Sequence, residues 1–164
     1  MEFLACTLIT GIGATALMDV WAMLRKALFG IAAPDYGLVG RWVGWLVRGR
    51  FKHESIARSS AVPAERVIGW SVHYLTGIAF AALLLAWCGL SWVHEPTLMP
   101  ALAVGIVTVA APFLLMQPGM GAGIAASRTP RPGAARLQSI TTHAVFGLGL
   151  YLAGSAAGLL MSRA

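Results

Sequence analysis

Charge is scarce in this chain. Only 11% of its 164 residues are charged, against about 25% in an ordinary soluble domain. That scarcity excludes a water-covered globular surface. Acid is scarcer still, with six Asp and Glu against twelve Lys and Arg. Cysteine is limited to Cys6 and Cys88, which excludes a disulfide-rich scaffold and lacks the close spacing of a cysteine metal site. Both fall near the outward ends of apolar stretches, so a disulfide between them is open geometrically. Free cysteine packed as a small apolar residue is the simpler reading. No serine–histidine–carboxylate set, zinc motif or nucleotide loop stands at a specific spacing. Enzymes are therefore the least supported class, although acid–base work by Asp19 and the histidines stays open. The short alternating segments of a membrane barrel are also missing.

What the chain has instead is apolar length. It is 58% hydrophobic, with a mean hydropathy of +0.75. Crossing roughly 30 Å of hydrocarbon takes about 20 residues of helix. Four stretches qualify, at about 3–24, 67–90, 98–120 and 140–161. Backbone groups in lipid must be paired internally, so these are helices. The expected fold is an all-α membrane protein, a four-helix transmembrane bundle forming one domain over residues 1–164. The start, Met-Glu-Phe, is acidic, so no cleavable signal is expected.

Eleven of the twelve Lys and Arg lie between spans one and two or between spans three and four, leaving only Arg163 for the other side. The positive-inside rule makes the basic side cytoplasmic and sends both termini outward, to the periplasm. The net charge of +6 then follows from topology, with attraction to anionic lipid heads. No nucleic-acid motif accompanies it. Arg25 and Lys26 are expected to snorkel to the head groups.

The first cytoplasmic loop covers about residues 30–66. Within it, residues 36–47 (YGLVGRWVGWLV) are apolar but too short to span, which points to an interfacial or re-entrant segment. Trp42 and Trp45 suit the head-group layer. The basic stretch from Arg48 to Glu54 reads as a membrane-surface anchor or as a lid. Pro63 and Glu65 suit the first turn of span two. Pro112 breaks span three, because its ring nitrogen cannot donate to the carbonyl of Thr108. The glycine-rich run from Gln117 to Gly123 follows no strand and lacks a P-loop lysine, so it reads as a packed chain reversal.

Small residues recur every fourth position: Gly11, Thr15 and Asp19 in span one, then Gly69, His73, Gly77 and Ala81 in span two. Ser139, His143, Gly147, Tyr151 and Ser155 do the same in span four. Such stripes let helices approach closely in lipid. His73-x-x-x-Gly77 and His143-x-x-x-Gly147 match, and Met18-Asp19 is echoed by Met116-Gln117. The chain therefore reads as two parallel helical hairpin repeats.

Asp19, His73, Gln117 and His143 form a polar level. At 1.5 Å per residue they lie about 8, 9, 5 and 5–9 Å from the cytoplasmic ends of their spans. A charge at a helix centre costs roughly 2.5–3.5 kcal/mol on insertion scales, so Asp19 needs a partner. Several readings stand. The level could be a clamp of interhelical hydrogen bonds, in a small accessory or assembly subunit of a larger membrane complex. His73 and His143 could be axial ligands of a b-type haem, with Gly77 and Gly147 leaving room beside the ring. Asp19, His73 and His143 could bind a transition metal, with Met18 and Met116 suiting copper(I). A proton-coupled small transporter would use the same level and would need a homodimer, because four helices are few for a carrier.

The runs GIGATALMD, DYGLVGRW, Pro63…Glu65-Arg66…Gly69-Trp70…His73-Tyr74 and MQPGMGAGIAASRTP, with His143 following, resemble a bacterial family of small integral membrane proteins. It is described only as domain of unknown function 2938. The likeness covers nearly the whole chain. It implies an inner-membrane protein of about four helices and carries over no activity, ligand or functional residue.

Overall fold

The computed structural model describes residues 1–162. The chain is helical, with no strand among the described residues. The elements are α1 (Glu2–Phe29), α2 (Tyr36–Leu46), α3 (Glu65–Cys88), α4 (Leu98–Val107), a π-helical stretch (Pro112–Met116) running into α5 (Gln117–Met120), and α6 (Pro132–Met161). Four helical spans are long and apolar enough to cross a membrane: α1, α3, the segment Leu98–Met120 and α6. Arg163, the one basic residue expected on the outer side, lies outside the described residues.

Two ends differ from expectation. Helix α1 continues to Phe29, where Gly30 takes a left-handed conformation (φ 65°) and donates to the carbonyl of Lys26. Glycine reaches that conformation without a Cβ penalty. Helix α6 starts at Pro132, ahead of the apolar run. Proline suits a first helical turn, and polar Arg136 and Ser139 hide that turn from a hydropathy reading. Pro63 falls in a turn just ahead of α3 rather than within it.

The chain divides into two compact units. One comprises Met1–Ala33, Tyr74–Thr108 and the chain from Thr141 onward; the other comprises Pro34–His73 and Val109–Ile140.

In the first unit, small residues of α1 face inward and large ones outward, and the core they meet is filled by Leu84, Leu85, Phe146 and Leu150. Cys6, Thr7, Thr10, Gly11, Ala14 and Thr15 of α1 are buried, while Leu4, Leu8 and Ile12 are exposed. Lipid tails are as apolar as leucine, so burying leucine gains little and close packing decides. A Cβ on Gly11 would sit 2.5 Å from the Ile78 Cα of α3, and one on Gly105 would sit 2.6 Å from the Gly147 Cα of α6. Gly149 is equally close to Ala14, and Gly154 lies under the Trp92 ring. The two His-x-x-x-Gly glycines thus pack alike: Gly77 receives Thr15 of α1, and Gly147 receives Ala101 and Leu102 of α4. Cys6 and Cys88 are free thiols.

In the second unit, α2 crosses the start of α3 at Gly40 and Gly69, where a Cβ would strike the backbone of Glu65 or Tyr36. The loop after α2 carries a short 3₁₀ turn, Ile56–Arg58.

Replacing Gly105 with valine is expected to lower stability by about 1–3 kcal/mol through overpacking, read as a reduced melting temperature in detergent. Gly133→Ala, with nothing within 4 Å of the added carbon, should leave the midpoint unchanged. Equal midpoints for the two variants would show that α4 and α6 do not meet at Gly105.

Candidate functional site

Each of the four polar residues has a neighbour on a different helical segment. In the first unit, Tyr74 Oη of α3 donates to Asp19 Oδ2 of α1 at 3.0 Å. His143 of α6 reaches the end of α4: its Nδ1 lies 3.1 Å from the Gly105 carbonyl oxygen and 3.2 Å from Thr108 Oγ1. The Thr108 hydroxyl donates to the same Gly105 oxygen at 2.7 Å. The proton positions follow from this triangle. A carbonyl only accepts, and the single Thr108 proton is committed to it. Nδ1 must therefore carry a hydrogen shared between the two oxygens. In the neutral imidazole, Nε2 is then the bare nitrogen, with its lone pair free to accept a proton or a ligand.

The Thr108–Gly105 pair sits where the third span breaks. Pro112 lacks the N–H that the Thr108 carbonyl needs, and its ring crowds the preceding turn. The chain responds with the π-helical stretch Pro112–Met116, a feature that recurs at functional sites.

In the second unit, His73 stacks on Tyr36 of α2, with ring centroids 4.0 Å apart and planes 25° apart, and Trp70 meets it edge-on at 5.8 Å. Gln117 Nε2 makes a long 3.4 Å contact to Ser139 Oγ of α6, and its Oε1 is buried without a donor. Asp19–Tyr74 and Gln117–Ser139 thus give the two hairpins one polar bridge each.

The structure assigns Asp19 and His143 to one unit and His73 and Gln117 to the other. Among the described residues, no three His, Cys, Asp or Glu side chains gather closely enough to hold a metal ion. The room expected beside Gly77 and Gly147 for a flat haem ring is filled by α1 and α4. Arg25, expected at the head groups, is only 6% exposed, with its guanidinium 6.0 Å from the Trp21 ring centre.

Sequence reasoning missed a centre at Arg41. Its Nε and Nη2 grip both Glu65 carboxylate oxygens at 2.9 and 2.8 Å. Its Nη1 reaches the carbonyls of Ile56, Ala57 and Ser59 at 3.4, 3.2 and 3.1 Å. The Glu65 hydrogen bonds push the Arg41 pKa above the usual guanidinium value, with burial opposing and the charges of Glu65 and Asp35 assisting. Trp42 and Trp45 donate their indole N–H groups to the carbonyls of Phe51 and Ser60 at 2.9 and 3.0 Å. His53 is 5% exposed, with Nδ1 2.9 Å from Ser59 Oγ. The one available signal was a lone Arg41 on a short apolar helix, between Gly40 and Gly44.

Fold and polar contacts together define an all-α, multi-pass membrane protein with polar side chains bridging its spans. The chain belongs to the family described as Protein of unknown function (DUF2938), whose profile matches residues 8–157. No curated protein and no solved structure matches it.

Arg41→Lys keeps the charge but loses the planar fork. Hydrogen bonds to charged groups contribute about 1.5–3 kcal/mol, so faster amide hydrogen exchange is expected across residues 55–60. Unchanged protection there would mean that Arg41 does not hold the loop.

Proposed function

We propose that this protein handles a small ion within the bacterial inner membrane, in the first place a proton, with His143 as its acceptor. The observation that carries the reading is the His143–Gly105–Thr108 triangle. It fixes Nδ1 as the donor and leaves the Nε2 lone pair open, beside a proline-broken span. Interrupted spans and intramembrane ionisable groups mark ion pathways in other membrane proteins. Asp19, bound to Tyr74, is a further ionisable group within the spans of the same unit. The basic loops face the cytoplasm, both termini face the periplasm, and two copies assemble to make a pathway from eight spans.

A second reading has its own support. Asp19, His143 and Gln117 all contact other spans, which is what a clamp in an accessory subunit of a membrane complex requires. Such bonds contribute about 0.6 kcal/mol each.

Proteoliposomes containing a pH-sensitive dye separate the two. Wild-type protein should dissipate an imposed proton gradient, and His143→Gln should reduce the rate at least about tenfold, the order expected for loss of a positioned acid–base group. Asp19→Asn should slow it as well. A wild-type rate equal to that of empty vesicles, or full activity in His143→Gln, would reject proton handling and leave the clamp.

A further inference from the structure

The loop after α2 encloses a cleft that the His143 reading does not use. It measures about 390 Å³ and is lined by Trp45, Arg50, Glu54, Ser55, Arg58, Ser59 and Ser60. Its walls are fixed by bonds that consume acceptors. Arg41 takes the carbonyls of Ile56, Ala57 and Ser59, and Trp45 takes that of Ser60. Trp42 takes the carbonyl of Phe51, and the Ser59 hydroxyl is engaged by buried His53.

Donors are what remain. The Ser55 and Ser60 hydroxyls and the Arg58 guanidinium have no protein partner among the described residues. Arg50 lies over the Trp45 ring, 5.8 Å from its centre, whereas Arg48, on the same ring at 5.3 Å, does not line the cleft. Glu65, which follows this loop, is already bound by Arg41. Glu54 is the single carboxylate on the lining. A cleft with two guanidinium groups, free hydroxyls and carbonyls engaged by Arg41 and Trp45 suits an oxyanion rich in acceptors.

The chain between the lining residues Trp45 and Glu54 says where that anion comes from. Leu46, Val47 and Phe51 are exposed and alternate along the chain with Arg48, Arg50 and Lys52. Exposed apolar side chains between basic ones, with tryptophan beside them, belong at the level of lipid head groups.

We propose that this cleft binds the phosphate of an anionic phospholipid head group, held by the Arg50 and Arg58 guanidinium groups and the Ser55 and Ser60 hydroxyls. It is independent of the His143 reading.

Calorimetric titration of the full chain in neutral detergent tests it, with dihexanoyl phosphatidylglycerol, dihexanoyl phosphatidylcholine and inorganic phosphate as probes. Phosphatidylglycerol should bind saturably and tighter than phosphatidylcholine. The Arg50→Gln, Arg58→Gln double variant should weaken it at least about tenfold, since each charged bond contributes on that order. Glu54→Gln should tighten it about threefold, by removing one like charge. Arg48→Gln, outside the lining, should change it less than about twofold, as a screened surface charge does. Equal loss in Arg48→Gln and the double variant would mean diffuse attraction and overturn the site. So would phosphatidylglycerol binding no tighter than phosphatidylcholine. Inorganic phosphate binding as tightly as the lipid would overturn the lipid source. Both arginines are exposed, so the variants should fold; if the double variant melts early, the sign of the Glu54→Gln change decides.

Discussion

Contact between helix backbones at glycine is the constraint on which the first unit depends. In lipid, association of apolar helices gains little from burying leucine, so the buried Leu84, Leu85 and Leu150 count through packing, and contact distance becomes the organising quantity. The approach of Gly105 to Gly147 also makes the polar site. Ordinary helix pairs stand about 8–10 Å apart, and the Gly105 carbonyl is already bonded within its own helix. Only a close crossing lets an imidazole one turn away on α6 reach both that oxygen and Thr108. Packing and chemistry here are one feature: a side chain at Gly105 or Gly147 would separate the helices and break the triangle together.

The second unit works by different physics. Its backbone includes a non-helical loop, and non-helical carbonyls near a membrane need donors. Arg41 supplies several from one side chain. The guanidinium presents five donors in a plane, and Glu65 turns two of them into a bidentate ion pair. Glu65 also accepts from the Val62 N–H at 3.2 Å, which helps start α3. Two short-range decisions, where the loop runs and where the span begins, thus rest on one ion pair.

Much of this was legible in the sequence. Hydropathy located the four spans, and period-four small residues identified the inward faces: Gly11, Thr15, Gly69, Gly77 and Ala81 are all buried. Pro112 correctly marked the break in span three. The helix overhangs at residues 25–29 and 132–139 were not legible, because polar and basic residues there lower hydropathy without weakening the helix. Partners were not legible either. The polar residues were found, but depth along a helix fixes one coordinate and leaves rotation undetermined. Tyr74 and Thr108 looked like ordinary span residues until the helices were placed, and Ser139 stood just ahead of the expected fourth span. Arg41 was read only as topology, since a sequence does not distinguish a basic anchor from one folded back on its own loop.

The choice of histidine at position 143 bears on what the site is for. A clamp needs a donor aimed at the neighbouring helix, and serine, threonine or asparagine supplies one with no basic nitrogen left over. The Gly105 carbonyl does not need rescue either, since Thr108 already donates to it. Histidine adds the one thing those residues lack, a second ring nitrogen that titrates near neutral pH in its unperturbed state. The geometry gives the stabilising bond to Nδ1 and leaves Nε2 uncommitted by it. A clamp leaves that second nitrogen unused, and the proposed proton handling is the reading that uses it.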